Sequence, residues 1–260
     1  MGLLLSVGRL LAGFLTGPSR APYVNAPTDP ALLARSIRPG DVLLVEGKQR
    51  ISTAIKYLTQ STWSHAALCT EVQSAAGRLP HPVLIEADAV DGVRLVGIEE
   101  FEGLHSRICR PVGLSAEDIA AVVAHAVSHV GDSYDLRNVV DLARYLFPTP
   151  PVPTSWRRRM IAFGSGEPTK AICSTLVAQS FQSIRYPILP RITIEQSNEL
   201  GCSDCIRELL HIRHHSLFTP RDFDVSPYFE IVKPTLENGF DHRSLAWQDP
   251  SDLQPLDAGV

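Results

Sequence analysis

The chain has 260 residues and a formal net charge of −4, and 44% of its residues are hydrophobic and 20% charged. This composition is typical of a globular protein and excludes a largely disordered chain, while the negative charge argues against nucleic acid as a partner. The five cysteines are an odd number and too sparse for a disulfide scaffold, which is compatible with a reducing compartment.

The N-terminal segment, residues 1–16, is amphipathic on a helical wheel, and Arg9 is its only charged residue. It is short for a membrane span, because a helix that crosses a bilayer needs about 20 apolar residues. We expect it either to lie in a membrane interface or to pack against its own domain or a partner. We therefore expect the protein to be either cytoplasmic or peripherally associated with a membrane.

A proline-rich stretch follows, and residues 17–37 predict a linker with one short helix near 31–36. A proline, a glycine and an aspartate at 39–41 predict the turn with which the folded domain begins. The apolar run 42–46 then predicts a buried strand, and the spacing of apolar residues in 51–58 predicts a helix.

His65 lies at the boundary between the polar loop 60–64 and the apolar run 66–72, which predicts a strand. The run 82–87 predicts another strand, and Glu86 lies near its end. A turn with hairpin character, Asp91-Gly92, leads to a predicted partner strand at 93–96, and a further strand is predicted at 106–110.

The second half of the domain is predicted to be mainly helical. Helices are predicted at 115–130 with Ser115 as the N-cap, at 139–147, at 172–184 and at 195–215, with a late strand at 228–232. A proline- and arginine-rich insertion occupies 148–170, and its basic run predicts a solvated loop or a membrane-surface contact. Because strands come first and helices later, the order favours an α+β domain with an antiparallel sheet packed against helices.

The predicted organisation has four parts. They are an amphipathic segment at 1–16, a linker at 17–37, a folded domain at 38–233 and a C-terminal tail at 234–260. The tail is polar and contains prolines, so we expect it to be poorly ordered.

The candidate chemistry centres on Cys173 at the start of the predicted helix 172–184. A cysteine attacks as the thiolate, and a helix N-terminus helps by supplying partial positive charge and free N–H groups. His65 would be the base, held through its second nitrogen by Glu86, because a carboxylate in an apolar strand is costly unless it is paired. Each residue alone has a structural alternative: a buried core cysteine, a capped or solvated histidine and a solvent-facing glutamate.

A second constellation consists of Cys202, Cys205, His211 and His215. Cysteines three apart followed by histidines resemble zinc ligands. The gap from Cys205 to His211 is too short for a zinc finger, and the side chains would not all converge from one helix. We therefore expect no metal and no other cofactor, and favour a disulfide or small residues in a helix. Cys69 and Cys109 lie in predicted strands and are assigned to the core.

Several short motifs follow one another along the chain in a defined order. They are Pro39-Gly40-Asp41-Val42-Leu43-Leu44, Thr62-Trp63-Ser64-His65-Ala66-Ala67-Leu68, Ile85-Glu86-Ala87 with Asp91-Gly92-Val93, Gly131-Asp132-Ser133-Tyr134-Asp135 and Cys173-Ser174-Thr175-Leu176-Val177. In order and spacing they resemble the YiiX/YaeF-like family, circularly permuted relatives of NlpC-type cysteine hydrolases within the papain-like superfamily. The resemblance covers residues 38–232.

This resemblance implies a permuted papain-like fold in which the histidine precedes the cysteine, which lies at a helix N-terminus. By position it implies Cys173 as the nucleophile, His65 as the base and Glu86 as the orienting acid. It also places Tyr134 in a segment that lines the cleft or binds the oxyanion.

The function predicted from these residues is a cysteine hydrolase that cleaves an amide, ester or thioester through an acyl-enzyme. The expected partner is a small-molecule, peptide or lipid substrate, either a peptide-like cell-wall amide or a lipid acyl group. A membrane surface is a further expected partner, bound through the N-terminal segment. Two alternatives stay open: an acyltransferase with the same residues, and a non-catalytic membrane-associated binding protein that retains the fold.

Overall fold

The computed structural model describes residues 17–19, 25–73, 80–88, 91–132, 172–196 and 206–246. These residues form the helices α1 (Pro30–Ser36), α2 (Arg50–Thr59), α3 (Ala116–Val127), α4 (Ile172–Ser183), α5 (Pro220–Asp224) and α6 (Pro234–Glu237). The strands are β1 (Val42–Glu46), β2 (His65–Gln73), β3 (His81–Asp88), β4 (Gly92–Gly97), β5 (His105–Pro111), β6 (Arg191–Gln196), β7 (Ile206–His211) and β8 (Phe229–Val232). Short 3-10 turns lie at Ile98–Phe101, His215–Leu217 and His242–Ser244.

Six of these strands form one antiparallel sheet in the order β4-β3-β2-β1-β5-β8. The strands β6 and β7 pair separately as a two-stranded hairpin. Helices α3 and α4 pack against each other and against β2. The predicted combination of an antiparallel sheet with helices packed against it is therefore confirmed for the described residues.

The central strand β1 has β2 on one side and β5 on the other, and all its residues are buried. Val42 and Leu44 belong to one hydrophobic cluster, and Leu43 and Val45 belong to a second. Burial on both faces explains the uninterrupted apolar run in the sequence. Because Val45 pairs with His65, this buried strand also fixes where β2 begins relative to β1.

The buried face of α4 is the one that the sequence predicts. Leu176, Val177, Ser180 and Phe181 are all buried, and the Ser180 hydroxyl donates to the Leu176 carbonyl at 2.9 Å. The helix packs against β2 and β3 through this face. Packing of the helix body thus fixes the position of its first turn, which contains Cys173.

The helix predicted at 195–215 is wrong for the described part of that range, residues 195–196 and 206–215. Residues Ile206–His211 are strand β7, which pairs with β6 so that Ile192 lies opposite Leu210. The β-branched residues of β6, among them Ile192 and Ile194, favour an extended chain. The strand that pairs with β6 is β7, which follows it after residues 197–205 in the sequence. The spacing of apolar residues within 195–215 does not reveal this pairing.

The segments on either side of the predicted domain pack more closely than the sequence suggests. In the predicted linker, Asp29 caps α1, and Leu33 of that helix is buried in a hydrophobic cluster. After α6, the Asn238 amide donates to Ser36 Oγ at 3.0 Å. The first part of the predicted tail thus contacts α1, while the poor order expected for 234–260 stays a prediction and the tail beyond residue 246 lies outside the described residues.

Three other predictions fall outside the described residues. They concern the N-terminal segment 1–16, the helix at 139–147 and the insertion at 148–170. None of the helices in the described ranges combines the length and the hydropathy that a bilayer crossing requires.

Candidate active site

His65 is the first residue of β2, and buried contacts fix the loop that precedes it. The indole of Trp63 is buried, and its Nε1 donates to Asp224 Oδ2 at 3.0 Å. Ser64 Oγ accepts a hydrogen bond from the backbone N–H of Gly47 at 2.9 Å. These contacts anchor the loop on both sides and so hold the backbone of His65 at one end of the sheet.

The His65 ring lies between Glu86 and Phe101, with its side chain 24% exposed. Its Nε2 is 2.6 Å from Glu86 Oε2, and its centroid is 6.2 Å from that of the buried Phe101. Glu86 comes close because the antiparallel strands β2 and β3 pair Leu68 with Ile85, which places the end of β3 beside the start of β2. The Glu86 side chain is only 5% exposed, so it has little water to replace this partner.

Cys173 is the second residue of α4 and is 5% exposed. It lies close enough to the ring of His65 to raise the pKa of the imidazole. Since Nε2 is 2.6 Å from Glu86 Oε2, we infer that the thiol interacts with the other ring nitrogen, Nδ1. The structure therefore brings Cys173, His65 and Glu86 into one line of contacts with the imidazole in the middle.

The electrostatics of this cluster favour a cationic imidazole and an ionised carboxylate. Burial opposes charge on His65, but Cys173 and Glu86 outweigh it and raise the pKa of His65 from 6.5 to about 10. Burial alone would raise the pKa of Glu86, but hydrogen bonds from His65 and Arg94 hold it below its ordinary value. A cationic imidazole at neutral pH is a group that stabilises a neighbouring thiolate.

Arg94 is a member of this cluster that the sequence analysis missed. It lies directly opposite Glu86 in the β3–β4 pairing. Its Nε donates to Glu86 Oε1 at 3.0 Å, and its Nη2 is 2.8 Å from the same oxygen. The predicted turn at Asp91-Gly92 would not have revealed this pairing, because counting back from it pairs residue 86 with residue 97. In the structure Asp88 pairs with Gly92, and this register places Arg94 opposite Glu86.

The two other cysteines of the described residues, Cys69 and Cys109, are fully buried in β2 and β5, so their assignment to the core is confirmed. Burial raises the pKa of the Cys69 thiol to about 12, and it raises the pKa of the Cys109 thiol as well. Neither environment favours a reactive thiolate. Cys173 differs from both by its contact with a cationic imidazole.

The histidines of the candidate zinc set have separate partners. His211 Nε2 hydrogen-bonds with Thr193 Oγ1 at 2.8 Å, within the β6–β7 hairpin. His215 Nε2 lies 3.0 Å from the amide nitrogen of Gln179 on α4. Within the ranges that the structure describes, no group of three or more histidine, cysteine, aspartate or glutamate side chains is placed to hold a metal ion.

The remaining predicted site residues, Tyr134, Cys202 and Cys205, lie outside the described ranges. A role for Tyr134 in the cleft, and a role for the two cysteines as ligands or as a disulfide, stay predictions.

No protein-family model matches the chain, and a search of the curated proteins finds no match. Among solved structures the chain is similar to the crystal structure of metalloprotein yiiX (DUF1105) from Escherichia coli O157:H7. The two are 15% identical with a TM-score of 0.43, and the similarity covers 76% of this chain and 97% of the other. This neighbour bears the name of the family that the sequence motifs resemble. The function is therefore inferred from the contacts of this chain.

Proposed function

We propose that the protein is a cysteine hydrolase in which Cys173 attacks a carbonyl carbon and forms an acyl-enzyme. The observation that carries this proposal is the line of contacts from Cys173 through His65 to Glu86. A nucleophile, a base within hydrogen-bond reach and a third group that orients the base are the features by which such sites are recognised.

Each residue of the candidate site has a role in the proposed reaction. The Cys173 sulfur bonds to the carbonyl carbon, and the carbonyl π electrons move onto oxygen. As the tetrahedral intermediate collapses, cationic His65 gives its Nδ1 proton to the leaving nitrogen, oxygen or sulfur. Water then attacks the acyl-enzyme and neutral His65 accepts its proton, after which collapse releases the carboxylic acid and the Cys173 thiolate. Glu86 keeps its charge and holds the ring throughout.

For the negative oxygen of the intermediate we propose backbone N–H groups at the start of α4. The first N–H groups of a helix have no partner within the helix, and they carry the partial positive charge of its N-terminus. Cys173 lies in that first turn, so its own N–H is close to any carbon that its sulfur attacks. Donors of this kind stabilise the transition state more than the substrate.

The order of the site residues supports a circularly permuted papain-like fold. His65 on β2 and Glu86 on β3 both precede Cys173 on α4 in the sequence, and α4 packs against both strands. A sheet that carries base and acid, packed against a helix that carries the nucleophile, is the arrangement that this fold requires. We therefore propose a circular permutation that places His65 and Glu86 before Cys173 in the chain.

The substrate proposed is an acyl group in an amide, ester or thioester, from either a lipid or a cell-wall peptide. The amphipathic segment 1–16 favours the lipid, because such a segment would bring the site to a membrane surface. An acyltransferase would form the same acyl-enzyme and differ only in the acceptor that replaces water.

The experiment that tests the proposal is acylation of the purified protein with p-nitrophenyl acetate, p-nitrophenyl decanoate and a decanoyl thioester. We expect intact-mass analysis and peptide mapping to show an acyl adduct on Cys173 that is absent in Cys173→Ala and retained in the matched control Cys69→Ala. Preference for the decanoyl compounds would indicate a lipid substrate. Faster loss of the adduct with added amine or alcohol than with water alone would indicate a transferase.

Two results together would contradict the hydrolase proposal. The first is that the folded protein forms no adduct on Cys173 with any of these compounds. The second is that Cys173 reacts with iodoacetamide no faster than the buried Cys69. The non-catalytic binding protein would then be the better interpretation. Metal analysis of the purified protein separately tests the expectation that Cys202 and Cys205 bind no metal.

A further inference from the structure

Glu86 divides its two oxygens between different cationic partners. Oε2 accepts from His65 at 2.6 Å, while Oε1 accepts from Arg94 Nε at 3.0 Å and lies 2.8 Å from Arg94 Nη2. With both oxygens engaged from opposite sides, the carboxylate cannot rotate without breaking one of these contacts. The orientation of the group that holds His65 therefore depends on Arg94.

The guanidinium of Arg94 is itself held by further carboxylates. Its Nη1 lies 3.4 Å from Asp91 Oδ2, and its Nη2 lies 3.4 Å from Glu100 Oε1. Both of those carboxylates are exposed, whereas Glu86 is buried. Arg94 therefore bridges from the surface to the buried carboxylate and brings the positive charge that Glu86 needs when His65 loses its proton.

That need arises within the proposed reaction. His65 is cationic in the resting site and becomes neutral once it has protonated the leaving group. A buried carboxylate without a cationic partner is costly and would take up a proton. A fixed cation on the other oxygen keeps the carboxylate ionised through the step in which the imidazole is neutral.

We propose that Arg94 is a positioning residue of this site, which holds Glu86 ionised and in one orientation so that Glu86 can aim His65 at Cys173. This inference rests on the proposed function for its role in turnover. The contacts that it concerns are also measurable without a substrate.

The test compares Arg94→Met and Arg94→Lys with the matched control Arg110→Met. Arg110 also makes a two-pronged contact with a buried carboxylate, that of Asp41. The rate at which iodoacetamide modifies Cys173 is measured against pH by peptide mapping, and the His65 ring is titrated by NMR. Thermal unfolding reports the stability of each variant.

In Arg94→Met we expect Glu86 to take up its proton at a pH higher by about one unit or more, since a nearby opposite charge lowers a carboxyl pKa by about 1–3 units. Because neutral Glu86 no longer holds cationic His65 beside the thiol, the acid limb of the Cys173 profile should move to higher pH. Arg94→Lys restores the charge without the two-pronged contact and should move the limb by less. Arg110→Met should lower the melting temperature and leave the acid limb at its wild-type pH, which separates positioning from general stability.

An acid limb and a His65 titration in folded Arg94→Met that match the wild type would overturn the inference. If Arg94→Met does not fold, Arg94→Gln, which also removes the charge, takes its place, and a wild-type profile from that variant would equally overturn the inference. A shifted limb in a protein that forms no acyl adduct would leave the role of Arg94 in place and remove the hydrolase. Acylation of Cys173 together with an acid limb that the Arg94 substitutions leave unchanged would support the hydrolase and overturn the role of Arg94.

Discussion

Two buried carboxylates of this protein each contact an arginine, and they differ in what their second oxygen does. Asp41 gives both oxygens to Arg110, with Nε 2.9 Å from Oδ1 and Nη2 2.8 Å from Oδ2, and Oδ2 also accepts from the backbone N–H of Arg38. Glu86 gives one oxygen to Arg94 and the other to His65.

This difference appears in how each group titrates. Burial raises the pKa of Asp41 above its ordinary value although Arg110 and Arg38 oppose it. For Glu86 the contributions of His65 and Arg94 exceed that of burial, and its pKa falls. A carboxylate paired with an arginine thus has two different uses in this protein. The Asp41–Arg110 pair is a structural clamp between the start of β1 and β5, whereas the Glu86–Arg94 pair leaves one carboxylate oxygen to orient His65.

The largest effect that would sharpen this comparison is expected from Glu86→Gln. Glutamine keeps the shape but removes the charge that holds imidazolium, so the acylation rate of Cys173 should fall by about 10²–10⁴-fold. The measurement is the rate of adduct formation with p-nitrophenyl acetate under single-turnover conditions. A rate within the error of the wild type would show that Glu86 belongs with Asp41 as a structural residue.

The reciprocal variant, Asp41→Asn, should affect stability and leave the chemistry alone. Asparagine puts an amide nitrogen in place of one oxygen, and that nitrogen cannot accept from Arg110 or from the Arg38 N–H. Arg110 keeps Glu237 as a partner, so the free energy of unfolding should fall by about 1–3 kcal/mol. Urea unfolding measures the loss, and acylation is compared per folded molecule. The comparison breaks down if acylation falls as far in Asp41→Asn as in Glu86→Gln.

The sequence carries local signals for the three residues of the candidate site. His65 follows a polar loop, Glu86 is a charge within an apolar strand, and Cys173 begins a helix, so each stands out within its own neighbourhood. Their order and spacing then supported the resemblance to a known family. The structure brings the three into contact, while their catalytic roles remain a proposal.

The missed features depend on pairing across the chain. Arg94 becomes significant only when the register of β3 and β4 places it opposite Glu86. The strand at Ile206–His211 is predicted as a helix because most of its partner, Arg191–Gln196, lies before the window 195–215 in which the apolar spacing is judged. Local propensity is a weak guide wherever cross-strand contacts decide the conformation.

The alkaline stability of the protein tests the charge on His65. Folding raises the pKa of His65 from 6.5 to about 10, so its contribution to stability is fully present below the lower value and is lost as pH rises through the higher one. The free energy of unfolding of the wild type should therefore decline in this window relative to that of His65→Gln. Asp41→Asn should decline in parallel with the wild type, because Asp41 has no contact with the ring. Parallel curves for wild type and His65→Gln would instead mean that the imidazole is not held in its charged form.

The smallest effect lies in the acid range, where the two carboxylates should act with opposite sign. The pKa of Glu86 lies below its ordinary 4.5, so its stabilisation is present above that value and is lost as pH falls through the folded-state pKa. The pKa of Asp41 lies above its ordinary 3.8, so between that value and the folded-state pKa the wild type loses stability as pH rises. The stability advantage of the wild type over Glu86→Gln should therefore grow with pH, and its advantage over Asp41→Asn should shrink. Urea unfolding of the three proteins across this range measures both trends at once. Trends of the same sign would mean that His65 and Arg94 do not outweigh burial at Glu86, and the distinction between clamp and site would lose its electrostatic basis.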